Sequence, residues 1–290
     1  MWYSGDAAFV YPAELRYTLP VCYHVEIYHF SGTGNSLAVA RDLAEGLGAR
    51  LHAVSALADR ARVTSEADKI GFVFPIYDFK PPPMVEELVR KLDGIESKYL
   101  FAVCTYGITP SRSLDHLGQV IASCGGRLSA GFAVGMPHSG IGSGLSDEAQ
   151  DAHMFEAWRR KCGEVCAYID GRQEGLIERS HLLLSLFRPR LARMIPSLFK
   201  FLLLALRHGV DALAFTASEA CNSCGICERV CPANNVALVD GRPVWSDHCA
   251  GCFACLHWCP KEAISLGGLD MDVRIYHHPE VKLSDMIQRP

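Results

Sequence analysis

Eight of the thirteen cysteines fall into two runs of identical spacing. The first is Cys221, Cys224, Cys227, Cys231 and Pro232; the second is Cys249, Cys252, Cys255, Cys259 and Pro260, 28 residues further on. Both read C-x2-C-x2-C-x3-C-P. Three thiolates two residues apart can wrap one iron–sulfur cube, and this spacing is a recognised one for [4Fe–4S] clusters. The fourth cysteine turns away, its proline keeps the chain from curling back, and it serves the other cluster. One cluster is therefore expected on Cys221, Cys224, Cys227 and Cys259, the other on Cys249, Cys252, Cys255 and Cys231. A pair of zinc sites is the competing reading, but zinc knuckles rarely use four such closely spaced cysteines ending in Cys-Pro, twice over. Small residues at Gly225, Gly251 and Ala254 let backbone amides approach the sulfides, and such hydrogen bonds, with burial and charge, set cluster potentials. An odd, clustered cysteine count points to metal ligation in a reducing compartment rather than to disulfides.

A second constellation is Phe30-Ser31-Gly32-Thr33-Gly34-Asn35-Ser36. It lacks the Gly-Lys-Ser/Thr ending of a P-loop and the third glycine of a dinucleotide fingerprint. It offers hydroxyls from Ser31, Thr33 and Ser36, the Asn35 amide, and backbone N–H groups freed by Gly32 and Gly34. At a helix N-terminus such donors can hold a phosphate monoester without a cationic side chain. The phosphate of FMN fits that description; a tight turn without ligand is the plainer alternative. Two more loops, Pro75-Ile76-Tyr77-Asp78-Phe79 and Thr105-Tyr106-Gly107-Ile108-Thr109, are expected at the same sheet edge, where strands end. Tyr77, Phe79 and Tyr106 are aromatic enough to stack on or edge a flavin ring, or simply to pack under their loops. Gly107 would leave a backbone amide close to that ring.

The elements that must position these loops alternate. Strand patterns occur over His24–Phe30, Leu51–Val54, Lys69–Ile76, Tyr99–Thr105 and Leu128–Val134, and helical periodicity over Asn35–Leu47, a helix opened by Pro81–Pro83 and running through Leu92, Ser111–Ser123 and Asp147–Ile169. Proline opens the second helix and Gly48 stops the first. Repeated βα units predict a doubly wound, five-stranded parallel sheet of flavodoxin-like type. The cysteine repeat, too short to build its own core, should draw its stability from metal in a small α+β domain. The expected organisation is an N-terminal extension over 1–23, an α/β domain over 24–172, a helical basic connector over 173–217, a cluster domain over 218–268 and a tail over 269–290 that includes His277-His278.

The bulk numbers narrow the class. Net charge is −4 over 290 residues, which speaks against a nucleic-acid binder because phosphate neutralisation needs a basic surface. The N-terminus lacks the pattern of a secretory signal. The most apolar window, Leu198–Leu206, is broken by Lys200 and is too short to span a bilayer. A soluble, cytoplasmic protein is expected. Arg188, Arg190, Arg193, Lys200 and Arg207 make the connector basic, suited to an acidic redox partner, to peripheral contact with an anionic membrane, or merely to solvent. Cys104 reads as a buried small hydrophobe, and Cys162 with Cys166 as a packed helical pair in preference to a redox pair. Asp115-His116 and Asp247-His248 lack a nucleophile at any recognisable spacing, so no hydrolase is read here.

Residues 24–170 resemble flavodoxins through YHFSGTGNS, FPIY and CTYG, and residues 220–262 resemble bacterial two-cluster ferredoxins. Their fusion resembles the combined flavodoxin–ferredoxin family of anaerobic bacteria and archaea. The resemblance implies FMN on Ser31–Ser36, on Pro75, Ile76 and Tyr77, and on Thr105, Tyr106 and Gly107. It implies electron transfer between FMN, two [4Fe–4S] clusters and external redox partner proteins. A flavin-dependent reductase of a small substrate, fed by the clusters, and an iron–sulfur sensing module without flavin are the rival readings. No separate NAD(P) site is visible.

Overall fold

The computed structural model describes residues 24–140, 147–179, 214–267 and 273–287. The expected extension with Cys22, and the basic stretch from Arg188 to Arg207, lie outside the described residues.

Five parallel strands form one sheet: β1 (Val25–His29), β2 (Arg50–Ala53), β3 (Lys69–Pro75), β4 (Tyr99–Tyr106) and β5 (Leu128–Gly135), in the order β2-β1-β3-β4-β5. This order reverses between β1 and β3, as in the flavodoxin-like doubly wound fold. In β3 the run from Lys69 to Phe74 is buried, as is β4 from Tyr99 to Thr105; strands covered on both faces need side chains apolar on both. Alternation then sorts them. Ile27, Val73, Phe101, Val103 and Phe132 face helices α1 (Asn35–Leu47) and α4 (Glu148–Asp170), while Phe72, Phe74, Leu100 and Cys104 face α2 (Pro83–Lys91) and α3 (Ser113–Ser123).

The helix ends follow local chemistry. Gly48 closes α1 in the left-handed conformation, and Ala49 N–H reaches back to the Ala44 carbonyl. Asp147 caps α4 by accepting from the Gln150 amide at 2.8 Å. Cys104 is fully buried, and burial pushes its thiol far up. Cys162 and Cys166 lie half-buried on α4, with Cys166 Sγ against Gly46 of α1.

The second domain is small. β6 (Phe215–Ala217) pairs antiparallel with β9 (Ile264–Leu266), and β7 (Val236–Val239) with β8 (Arg242–Trp245). Each cysteine run contributes one four-residue helix, Ile226–Arg229 or Ala254–His257. The chain then returns to the α/β domain. In the stretch expected as tail, His278 is buried, and the His277 ring stacks on Trp258 with centroids 4.4 Å apart. Val281 and Met286 beyond them are apolar and enter the same core cluster as Phe30 and Leu37, so this segment is held by burial.

Candidate functional site

Gly225 caps the first short helix and Phe253 the second, both in the left-handed conformation, at the same place in the repeat. These tight turns aim the cysteines of each run inward. Cys221, Cys224, Cys227 and Cys259 line one cavity, walled by Ile226, Leu238 and Pro260. The fourth cysteine of the second run therefore meets the first three of the first run. Cys231 lies among the others: the thiols of Cys249, Cys252 and Cys255 are raised by burial and then by neighbouring cysteines, Cys231 among them in each case. Cys252 reaches about 12, and Cys227, beside Cys224 and Cys259, about 11. These raised thiols hold their protons at neutral pH, and a cluster bound by them would displace those protons.

Backbone amides point at the sulfurs. Asn235 N–H donates to Cys231 Sγ at 3.2 Å, and Gly251 and Ala263 donate to Cys249 and Cys259 at 3.4 Å. Such bonds stabilise the more reduced, more negative state of a cluster. Gly251 does so in the left-handed conformation.

The three loops at the sheet edge do converge. Ser36 Oγ and Thr105 Oγ1 share a hydrogen bond of 2.8 Å, and Ile76 N–H donates to the Thr105 carbonyl at 3.0 Å. Tyr77 lies edge-on to Phe30 and its hydroxyl abuts Gly32. Ser31, Thr33, Asn35 and Ser36 are buried. The donor set suits a phosphate monoester. Gly34 caps α1 with no side-chain bond, and among the described residues the amides of Asn35, Ser36 and Leu37 have no acceptor. Space is less generous. His138 packs directly over Gly107, and Tyr77 is half-buried, its phenol pushed far up by burial and then by Cys252 and Cys249. Tyr106 is half-buried. Phe79 is 56 % exposed on a turn where it and Asp78 both hold positive φ.

What closes the space is the second domain. A Cβ on Gly32 would overlap the Cys252 carbonyl oxygen, so only glycine allows this approach. Trp258 Nε1–H donates to the Gly32 carbonyl at 3.0 Å. His257 Nε2 lies 2.7 Å from the Ser139 carbonyl and Nδ1 accepts from Tyr276 N–H at 3.2 Å; burial lowers this imidazole to about 4, so it is the neutral, Nε2-protonated ring. The second cysteine run thus sits on the glycine-rich loop. Sequence reasoning missed His257, Trp258 and Tyr276. The only signal was the Leu-His-Trp insert in the second run where the first has Glu-Arg-Val.

Residues 220–264 match the 4Fe-4S dicluster domain family. No curated protein matches the chain. Among solved structures, the rubredoxin oxygen:oxidoreductase of the anaerobe Desulfovibrio gigas is similar at 15% identity and a TM-score of 0.35, over 51% of this chain and 36% of that one. A flavodoxin from the domain Archaea matches at 13% identity and 0.35, over 50% and 98%. Two-electron reduced Megasphaera elsdenii flavodoxin matches at 20% and 0.31, over 49% and 98%. The chain spans about a third of the oxidoreductase's length, and the fold rests on strand order rather than on these scores. The protein joins a flavodoxin-like α/β domain to a ferredoxin-type 4Fe-4S domain.

Proposed function

We propose that this protein is an electron carrier that passes electrons between FMN and two [4Fe–4S] clusters and on to external redox partners. The observation that carries the reading is the cavity shared by Cys221, Cys224, Cys227 and Cys259. It brings the fourth cysteine of one run to the first three of the other, so the two clusters are built together and lie close. Position gives the pair a direction. Each run has one exposed cysteine, Cys224 or Cys249, but Cys252 is buried and touches the glycine-rich loop, whereas its counterpart Cys224 is exposed. The first cluster serves as the port for an external partner, and the second faces the α/β domain.

FMN would add the capacity to take electrons singly or in pairs, where each cluster passes one. Ser31, Gly32, Thr33, Gly34, Asn35 and Ser36 would hold its phosphate, with Pro75, Ile76, Tyr77, Thr105, Tyr106 and Gly107 around its ring. All twelve described cysteines are free, which suits a reducing compartment such as the cytoplasm. No helix among the described residues is long and apolar enough to cross a membrane.

An anaerobic reductive titration tests the reading. The carrier takes up about two electrons on its clusters and about two more on flavin, each with its own visible signature. Failure to accept electrons, or to return them to any one-electron acceptor, overturns it. The packing of His138 over Gly107 favours a second reading, an iron–sulfur sensing module without flavin. It requires cluster absorption alone and no flavin in the anaerobically purified protein.

A further inference from the structure

Beyond the second cysteine run, the chain runs back across the glycine-rich loop. Tyr276 O–H donates to Asn35 Oδ1 at 2.6 Å, while Asn35 Nδ2 donates to the Pro137 carbonyl at 3.1 Å, so the Asn35 amide is held at both ends. His278 N–H donates to the Thr33 carbonyl at 2.9 Å. Val281 lies over Gly34, where an added Cβ would come within 2.9 Å of its side chain. The segment is tied to α1 by Asp285 to Arg41 at 3.1 Å. Two pairs tie it to α4: Glu280 to Arg159 at 2.5 Å, and Arg274 to Asp151.

These contacts fall on the groups a phosphate would use. The Asn35 side chain is engaged, the loop's outer face at Thr33 and Gly34 is covered, and the α1 amides beneath have no acceptor among the described residues. The fastenings differ in strength. Glu280 and Arg159 are more than half exposed, and exposed pairs of this kind hold weakly. The segment's main hold is burial of Tyr276, His278, Val281 and Met286, so the closed arrangement is the favoured one.

We propose that residues 273–287 form a strap over Ser31–Ser36, and that closure of the strap and binding of a flavin phosphate exclude one another. The proposal rests on reading the loop as the flavin seat. The apparent affinity for FMN then equals the intrinsic affinity scaled by the fraction of molecules whose strap is open. The same strap grips the second cluster's surroundings, through His277 stacked on Trp258 and Tyr276 bonded to His257. Flavin loading is therefore felt at that cluster.

The test uses the full chain with its clusters, under anaerobic conditions, and free FMN as probe. Tyr276→Phe keeps the ring in place and removes the bond to Asn35; it is expected to bind FMN roughly 5- to 10-fold more tightly than the unaltered chain. Arg41→Ala with Arg159→Ala leaves every loop contact intact and is expected to tighten binding about 2- to 3-fold. Hydrogen exchange of peptides spanning 273–287 should speed up when FMN is added. Flavin bound with equal affinity by all three proteins, with the segment still protected, overturns the strap and leaves the flavin reading standing. No flavin in any of them, although exchange shows the segment released in the variants, overturns the flavin reading and the strap with it.

Discussion

The two cysteine runs share every spacing and almost no surroundings. In the first run Gly225 takes the left-handed turn, with only Leu238 near where a Cβ would lie, and Cys224 is exposed. In the second the same turn is made by Phe253, whose ring packs edge-on to Phe215 with centroids 5.4 Å apart, and Cys252 and Cys255 are buried. A bulky residue in that conformation costs of order 1–3 kcal/mol and persists only where its surroundings hold it. Spacing therefore fixes which sulfurs meet. The residues between the cysteines set how each position is covered: Cys252 is buried against the α/β domain where its counterpart Cys224 is exposed, and Cys249 is exposed where Cys221 is half-buried.

The largest expected effect breaks the symmetry of ligation. Cys259→Ser should cost the cluster that rests on Cys221, Cys224 and Cys227, and Cys231→Ser the other. Each should lower iron content by about four per chain. Electron paramagnetic resonance of the reduced variants shows whether the lost signal belongs to the opposite run; loss of the variant's own run instead would refute the crossed assignment.

Acid should distinguish the buried side of the molecule next. Burial lowers His29 and His278 to about 4. Each has a folded value below its unfolded one, so between about pH 6.5 and 4 the unfolded chain binds protons the folded chain refuses. Stability is full above that window and falls as pH drops through it. His29 alone should contribute about 1–3 kcal/mol of the loss, read from denaturant midpoints at several pH values. An unchanged midpoint from pH 7 to 5 would contradict the burial of these rings.

Smaller effects compare equivalent positions. Trp258→Phe removes the bond to the Gly32 carbonyl and should cost about 1 kcal/mol, a melting shift of a few degrees, with the first cluster's spectrum unaltered. Gly225→Ala meets only Leu238 Cδ1 at an ordinary contact distance of 3.5 Å, so its cost is the left-handed backbone alone, about 1 kcal/mol. A neutral result at Gly225 would mean that the turn relaxes.

Much of this was legible in the sequence, for physical reasons that also mark the limits. Strand burial and helical periodicity are local, and β1 to β5 and α1 to α4 fall where those patterns put them. The cysteine spacing is local too, so both runs could be read directly. The docking of one domain on the other is not local. Asn35 and Tyr276 are 241 residues apart, and Gly32 and Trp258 are 226 apart. Gly32 reads as a residue that lets a phosphate approach, but it also admits the Cys252 carbonyl; a missing side chain says that something comes close, not what. Residues 273–287 show no periodicity because they bind through single contacts to several elements, so nothing in them announced a structured strap.

Two crossed four-iron clusters in the second domain, as proposed, would be read most plainly in metal content. Iron and acid-labile sulfide measured on anaerobically purified protein should each come to about eight per chain, with broad visible absorption that dithionite bleaches. A colourless protein carrying zinc and no labile sulfide would contradict it.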